Sequence, residues 1–192
     1  PLLASSAASD VYKRQSMDIL ISSNLERLIF RLTGEDPAAC AKLMEELSKG
    51  GEYTITPQMK AGLSDFYGNY CTEKETSEAI HQVFEKDHYV IDTHTAVAAG
   101  VYKKYKADTK DDTPTVIAST ASPYKFTRSV MEAISSDSET MDDFALADAL
   151  AKLSGTSVPK AVEEIRTAPV LHDCVVDAQD MPATVKKILG IC

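Results

Sequence analysis

The chain of 192 residues contains no tryptophan, and its four cysteines, Cys40, Cys71, Cys174 and Cys192, are scattered without a C-x-x-C pair. That spacing argues against a disulfide framework or a zinc ribbon and is the pattern expected of a reducing, cytoplasmic compartment. The thiols read as core fillers or incidental groups. Positive charge is also in short supply: 20 Lys and Arg against 29 Asp and Glu leave a formal charge of -9. Broad binding to nucleic acid or to an anionic membrane needs clustered cations and is excluded on that ground. A single small anion held by one basic group or by helix N-termini stays compatible. No segment approaches 18 uninterrupted apolar residues, the length that reads as a membrane-spanning helix. Glycine-rich phosphate loops are missing, both G-x-G-x-x-G and Walker A, and so is the G-x-S-x-G elbow of many hydrolases.

What is present is an ordinary globular composition, 44% apolar and 26% charged, in a length that can bury a real core. The most informative stretch is Thr113 to Val130, TPTVIASTASPYKFTRSV. A β-branched run, Thr115-Val116-Ile117, leads into a turn of small hydroxyl residues, Ser119-Thr120-Ala121-Ser122-Pro123. Tyr124, Phe126, Val130 and Met131 then follow at helical spacing. A buried strand, a polar turn and a helix are how open α/β sheets place ligands at the carboxyl ends of their strands. The plainer reading of the same residues is a Ser/Thr N-cap with proline at the first helical position.

Two more strand–turn–helix patterns stand upstream. Ile19-Leu20-Ile21 precedes the cap candidates Ser22-Ser23-Asn24 and an apolar face of Leu25, Leu28, Ile29 and Leu32, closed by Gly34. Tyr89-Val90-Ile91 leads into Asp92-Thr93-His94-Thr95 and a helix carrying Val97, Val101 and Tyr105. Helices are also expected over Pro37–Ser48, Pro57–Phe66, Thr76–Lys86 (with Ser77-Glu78 suiting its beginning), Met141–Leu153, Pro159–Arg166 and Pro182–Leu189. Short strands are expected near Glu52–Thr56 and Val175-Val176. The fold class is therefore α/β: a helix-rich, partial open sheet whose exposed edge leaves self-association open. Residues 1–15, PLLASSAASDVYKRQ, differ in character from the rest and are expected to be a foreign or disordered leader, since no cationic region precedes Leu2 and Leu3 as a signal peptide would require.

Several side chains carry candidate chemistry. Asp92 and His94 have the spacing of two metal ligands, but no second ligand cluster follows, so a cap role for Asp92 or Thr93 with a packed His94 is expected instead, and no metal. Ser119 or Ser122 with His94 and Asp92 would make a triad only if geometry allowed it. Lys125, Asn24 and Arg27 are candidates to hold a phosphate or carboxylate, each with an exposed, solvated side chain as the alternative. His81, His88 and His172 read as surface residues.

Taken together, SMDILISSNLERLIF, YVIDTHTAVAAGVYKKY and TPTVIASTASPYKFTRSV, with PVLHDCVV near the end, resemble the carboxyl-terminal part of the threonine synthases. Those enzymes belong to the fold type II, tryptophan-synthase-β-like pyridoxal-phosphate family, and the resemblance runs from residue 16 to residue 192. It implies a wall of a pyridoxal 5'-phosphate pocket. Thr120 would face the pyridine nitrogen with Ser119 and Ser122 beside it, and Asp92 would belong to the turn near the ring. His94, Thr95, Lys125, Asn24 and Arg27 would border the substrate, O-phospho-L-homoserine. The family's reaction converts that substrate and water to L-threonine and phosphate. The resemblance also implies what the chain lacks: no Ser-Phe-Lys-Asp-like motif carries a Schiff-base lysine here, Lys125 is not its counterpart, and no residue is assigned a catalytic role. The expectation is a chain inactive by itself. A non-catalytic small-ligand-binding or assembly domain that keeps the fold is the alternative.

Overall fold

Helices in this chain start where a short polar side chain can accept from the first free N–H groups, the chemistry that helix N-termini demand. The structure, a computed structural model, describes residues 21–138 and 140–191. Ser22 accepts from the N–H of Leu25 and opens α1 (Ser23–Leu32). Asp36 accepts from Ala38 and Ala39 at 2.9 and 3.2 Å, ahead of Pro37, and opens α2 (Pro37–Gly50). Proline at that position already has the helical φ and lacks only an N–H that would be unpaired anyway. Gly51, at φ 77°, ends α2 in the left-handed conformation that a side chain would oppose. Thr56 opens α3 (Pro57–Ala61), which is shorter than the expected Pro57–Phe66. Past Gly62 the chain tightens into i→i−3 turns, Leu63 to Lys60 and Ser64 to Ala61, and the α-helical ladder stops there.

The next helix, α4 (Glu73–Asp87), begins ahead of the Ser77-Glu78 pair expected to mark it. Thr72 and Glu75 form a reciprocal capping box, each satisfying the other's backbone N–H. Asp92 opens α5 (Thr93–Thr109). Ser122 opens a 3-10 turn, Pro123–Phe126, which runs into α6 (Thr127–Ile134). Asp142 opens α7 (Asp143–Ser154), ended by Gly155 at φ 66°.

Burial sorts these helices into two clusters. Ile29 of α1, Cys40 of α2 and Met59 of α3 form one, flanked by Leu25, Leu43, Tyr53 and Ile55. The larger cluster joins Ile80 of α4, Val90, Ile91, Ala96 of α5, Val130 and Met131 of α6, and Leu146 and Leu150 of α7. In its neighbourhood Gly100 on α5 lies so near Cys71 that a Cβ added there would stand 2.6 Å from the Cys71 Sγ, so only glycine lets the two segments approach this closely. Cys40 and Cys71 are buried free thiols, while Cys174 is a free thiol in an exposed position. Burial raises the Cys40 thiol above its ordinary range, and the nearby Glu26 charge adds to this.

The expected partial sheet is not found among the described residues: no strand is present there, and the regular structure is helical. Strands exist only in pairs, because an isolated extended segment leaves its N–H and C=O groups without a ladder. Glu52–Thr56, Tyr89–Ile91, Thr115–Ile117 and Val175-Val176 are all unpaired. Val90 and Ile91 are nevertheless buried among helices, whereas Val116, expected in a buried strand, is 95% exposed. The Ile19–Ile21 strand and the 1–15 leader fall wholly or mainly outside the described residues.

The chain divides into two units at Ser157 and Val158. The second contains α8 (Lys160–Ile165), a 3-10 turn at Ala178–Asp180 and α9 (Met181–Leu189), near the expected positions. Most of its apolar residues are exposed, Val170, Leu171 and Val175 above all. No helix among the described residues is long and apolar enough to cross a membrane.

Two outcomes follow from this packing. Leu150→Ala, at a site with no solvent exposure, lowers stability by about 2–5 kcal/mol, whereas Ile188→Ala on exposed α9 stays within about 0.5 kcal/mol; urea denaturation of the two variants measures the difference. The second concerns acid. The Lys104 ammonium, 2.8 Å from Glu75, and the Thr72 N–H hold the Glu75 carboxyl at about 2, below the usual 4.5. A carboxyl depressed by folding binds its proton more readily in the unfolded chain. Its contribution is therefore complete above about pH 4.5 and is lost as pH falls toward 2. Thermal midpoints across that window decline less steeply in Glu75→Gln than in the unaltered chain.

Candidate functional site

Two turns that stand far apart in the sequence meet at the start of α5. The extended run through Ile91 ends at Asp92, whose side chain is 0% exposed. Burying a carboxylate is tolerable only when donors surround it, and here they do. Oδ1 accepts from the N–H groups of His94 at 2.8 Å and Thr95 at 3.2 Å. Oδ2 accepts the Thr95 hydroxyl in a short bond and lies 3.4 Å from the Ser119 Oγ. Thr95 Oγ1 stands 2.9 Å from Ser119 Oγ. The positive end of α5 adds a favourable field for the same negative charge. Asp92 is thus the expected cap, and it also draws the 119–122 turn onto the 92–95 turn.

Around this contact the other hydroxyls divide. Ser119 and Thr120 are exposed. Ser122 accepts from the Tyr124 N–H at 3.3 Å, so its hydroxyl caps the 3-10 turn, as the plainer reading of that stretch has it. Thr93 is 0% exposed, and its hydroxyl has no hydrogen-bond partner among the described residues. Buried hydroxyls in folded proteins are as a rule paired, and this one is an exception.

His94 sets its ring edge-on to Phe126, centroids 4.6 Å apart at 85°. Lys125 places its ammonium 5.4 Å from the centre of the same Phe126 ring, at the range of a cation–π contact. Phe126 is therefore a wall shared by two of the predicted substrate-side residues. The triad order of nucleophile, imidazole and carboxylate is not the order found, because Ser119 and Thr95 reach Asp92 directly and Ser122 is spent as a cap. Asn24 and Arg27 pair with each other on α1 at 3.2 Å, both exposed, and no described hydrogen bond ties them to the two turns. Among the described residues no group of three or more His, Cys, Asp or Glu side chains gathers as a metal site.

Sequence reasoning passed over Thr93 as an orphaned group, Phe126 as a wall, and the Glu75–Lys104 pair. The pair had a readable signal, the T-x-x-E box at Thr72–Glu75; the other two depend on tertiary neighbours. Glu75 and Lys104 flank a cleft of about 270 Å³ between α4 and α5, with Gln82 and Lys103 also on its rim. Its polar rim is largely self-satisfied, since Lys103 also donates to Gln82 at 3.2 Å.

Comparison with known proteins identifies the class first. The chain is similar to a solved structure described as PLP-bound threonine synthase from Brucella melitensis, with 30% identity and a TM-score of 0.59 over 79% of this chain and 31% of that one. A second solved structure, threonine synthase from yeast, is similar with 25% identity and a TM-score of 0.71, over 97% of this chain and 38% of that one. The fold over the aligned residues is therefore that of the carboxyl-terminal portion of these structures. The particular family follows. Residues 95–176 match the family model described as threonine synthase, C-terminal, and the threonine synthase of Schizosaccharomyces pombe is 36% identical over 145 residues. Over that part of its length the chain belongs to the threonine synthase family. The matched stretch covers 69% of this chain and 28% of the S. pombe enzyme.

The geometry around Asp92 sets an order of costs. Asp92→Ala removes a cap and leaves buried donors unpaired, a loss of about 2–4 kcal/mol from the two effects together. Asp92→Asn keeps a good cap and loses at least about 1 kcal/mol less. Equal midpoints for the two variants in urea denaturation would show that Asp92 does not organise this corner.

Proposed function

We propose that this chain is the carboxyl-terminal portion of a threonine synthase, extending from residue 16 to 192, and that it lines one side of a pyridoxal 5'-phosphate pocket. In the complete enzyme the reaction is conversion of O-phospho-L-homoserine and water to L-threonine and phosphate. The observation that carries this reading is the 2.9 Å approach of Thr95 to Ser119, which sets the hydroxyl turn beside the Asp92 turn. Were those turns remote, there would be no common hollow for a ring.

The donor set fits one side of such a group. Exposed neutral hydroxyls at Ser119 and Thr120 suit the edge of a pyridine ring, and the buried orphan hydroxyl of Thr93 offers a further partner nearby. When bound, the cofactor supplies an electron sink for charge that develops on the substrate carbons. This chain's own residues orient and enclose. Asp92 pins the first turn of α5, Thr95 and Ser119 carry that anchoring to the hydroxyl turn, and Thr120 meets the ring nitrogen with Ser122 beside it. His94 and Lys125, both against Phe126, form the side toward the anionic substrate, and Asn24 and Arg27 on α1 border it farther out.

The extended stretches 89–91 and 115–117 are, on this reading, strands whose partners belong to the rest of the enzyme; the exposure of Val116 supports this. A cytoplasmic setting belongs to the same proposal, with the free thiols of Cys40, Cys71 and Cys174 in keeping with a reducing compartment. A non-catalytic binding domain would use the same hydroxyl corner, and one experiment separates the two. Pyridoxal 5'-phosphate and borohydride added to this chain label no lysine stoichiometrically. Combining the chain with the amino-terminal part of a threonine synthase produces phosphate release from O-phospho-L-homoserine, and Thr120→Val lowers that rate at least tenfold, the scale of a lost polar contact to the reacting group. One lysine of this chain labelled stoichiometrically would overturn the assignment. Binding without phosphate release in the combined protein would point to the non-catalytic domain.

A further inference from the structure

We propose that Tyr124 is a positioning residue of the site: through its bond to Thr156 it clamps the 123–126 turn, and so sets where the Phe126 ring and the Lys125 ammonium stand. The clamp is drawn from this chain's geometry alone. Only the identity of the anion that Lys125 meets rests on the function proposed above.

Lys125 is exposed. Among the described residues its ammonium makes no ion pair or hydrogen bond and rests over the Phe126 ring, 5.4 Å from the centre. A lysine stem is flexible, so the place of the ring decides the place of the charge. The helix that follows does not fix that ring. Phe126 precedes α6 with φ -127° and ψ 37°, neither helical nor extended, and no side-chain hydrogen bond caps α6 there. Phe126 belongs instead to the 3-10 turn Pro123–Phe126. Four residues with the poorer hydrogen bonds of a 3-10 turn hold their direction weakly by themselves. What holds them converges on Tyr124. Its N–H donates to Ser122 Oγ at 3.3 Å, and its carbonyl accepts the Thr127 hydroxyl at 2.8 Å.

Those two bonds are local, and the third is not. The Tyr124 phenol lies 2.9 Å from Thr156 Oγ1, just past the end of α7. Thr156 Oγ1 is 2.7 Å from Ser154 Oγ, and Ser154 donates to the Leu150 carbonyl at 2.7 Å. Leu150 has no solvent exposure and sits in the larger core cluster. A line of hydroxyls thus runs from the turn to a helix that cannot move. The half-buried Tyr124 ring packs on the same cluster, so the ring supplies burial and the hydroxyl supplies direction. Thr156 is exposed, so water replaces a lost phenol and little stability goes with it. What goes is the fixed angle of the turn. With Ser119 held at the Asp92 corner, the stretch between them is fastened at both ends.

Tyr124→Phe keeps the packed ring and removes only the hydroxyl, and Thr156→Val removes its partner. The first readout is NMR of the full chain. The ε-methylene protons of Lys125, over the face of Phe126, resonate upfield of those of a solvated lysine. In each variant they move toward the solvated position, the double variant moves them no further than either one, and Thr156→Ser leaves them in place. Lys125 signals unmoved by Tyr124→Phe, or shifts that add in the double variant, would defeat the clamp. The second readout uses the chain combined with the amino-terminal part of a threonine synthase. There Tyr124→Phe raises KM for O-phospho-L-homoserine about two- to tenfold, the scale of one net hydrogen bond. The kcat changes by less than about twofold, because a cation that meets the anion equally before and during reaction contributes uniform binding. Thr156→Ser keeps the unaltered KM. A lower kcat at constant KM, or no change in either, would sink the positioning role. If the unaltered combined protein releases no phosphate, the proposed function fails, and the Lys125 shifts alone then decide the clamp.

Discussion

The structure around the candidate site depends on one buried carboxylate. Asp92 has no solvent exposure, so its charge must be met by protein groups, and the groups that meet it come from two places. Two are N–H groups of the α5 first turn, which any cap would use. The others are hydroxyls, and one of these belongs to Ser119 in a different turn. A local capping interaction is thereby also a long-range tie. The same atoms that start a helix decide where the 119–122 turn lies.

That tie is cheap in sequence terms and strict in geometric ones. A surface cap loses little when its environment shifts, because water replaces the missing partner. A buried one has no such substitute, and each donor lost leaves a polar group stranded. The corner is further held by the core beneath it, where Val90, Ile91 and Ala96 pack against α4, α6 and α7. Phe126 extends this apolar floor toward the surface and supports His94 on one side and Lys125 on the other.

Some apolar residues of the chain lie outside its two buried clusters. Val116 at 95% exposure and Val175 at 93% are strand-forming residues with nothing to pair with. The unit from Val158 onward has helices but leaves most of its apolar side chains at the surface. The chain spans about a third of the relatives to which it is similar.

Read alone, the sequence determined the helices. Their caps, glycines and prolines act within a few residues of themselves, so Pro37, Gly51 and Asp92 could be assigned without knowing any neighbour. It also carried the resemblance, because three long motifs in order are a property of sequence. The sheet was not legible: Thr115-Val116-Ile117 has strand composition, but a strand is a relation between two segments, and no partner segment is formed among the described residues. Nor was the grouping of the site. Thr120, Ser119 and Asp92 were named together from the family likeness, while Thr93 as a buried orphan, Phe126 as the common wall and the tie from Asp92 to Ser119 came only from tertiary contacts, since burial and hydrogen bonding depend on what the fold brings together.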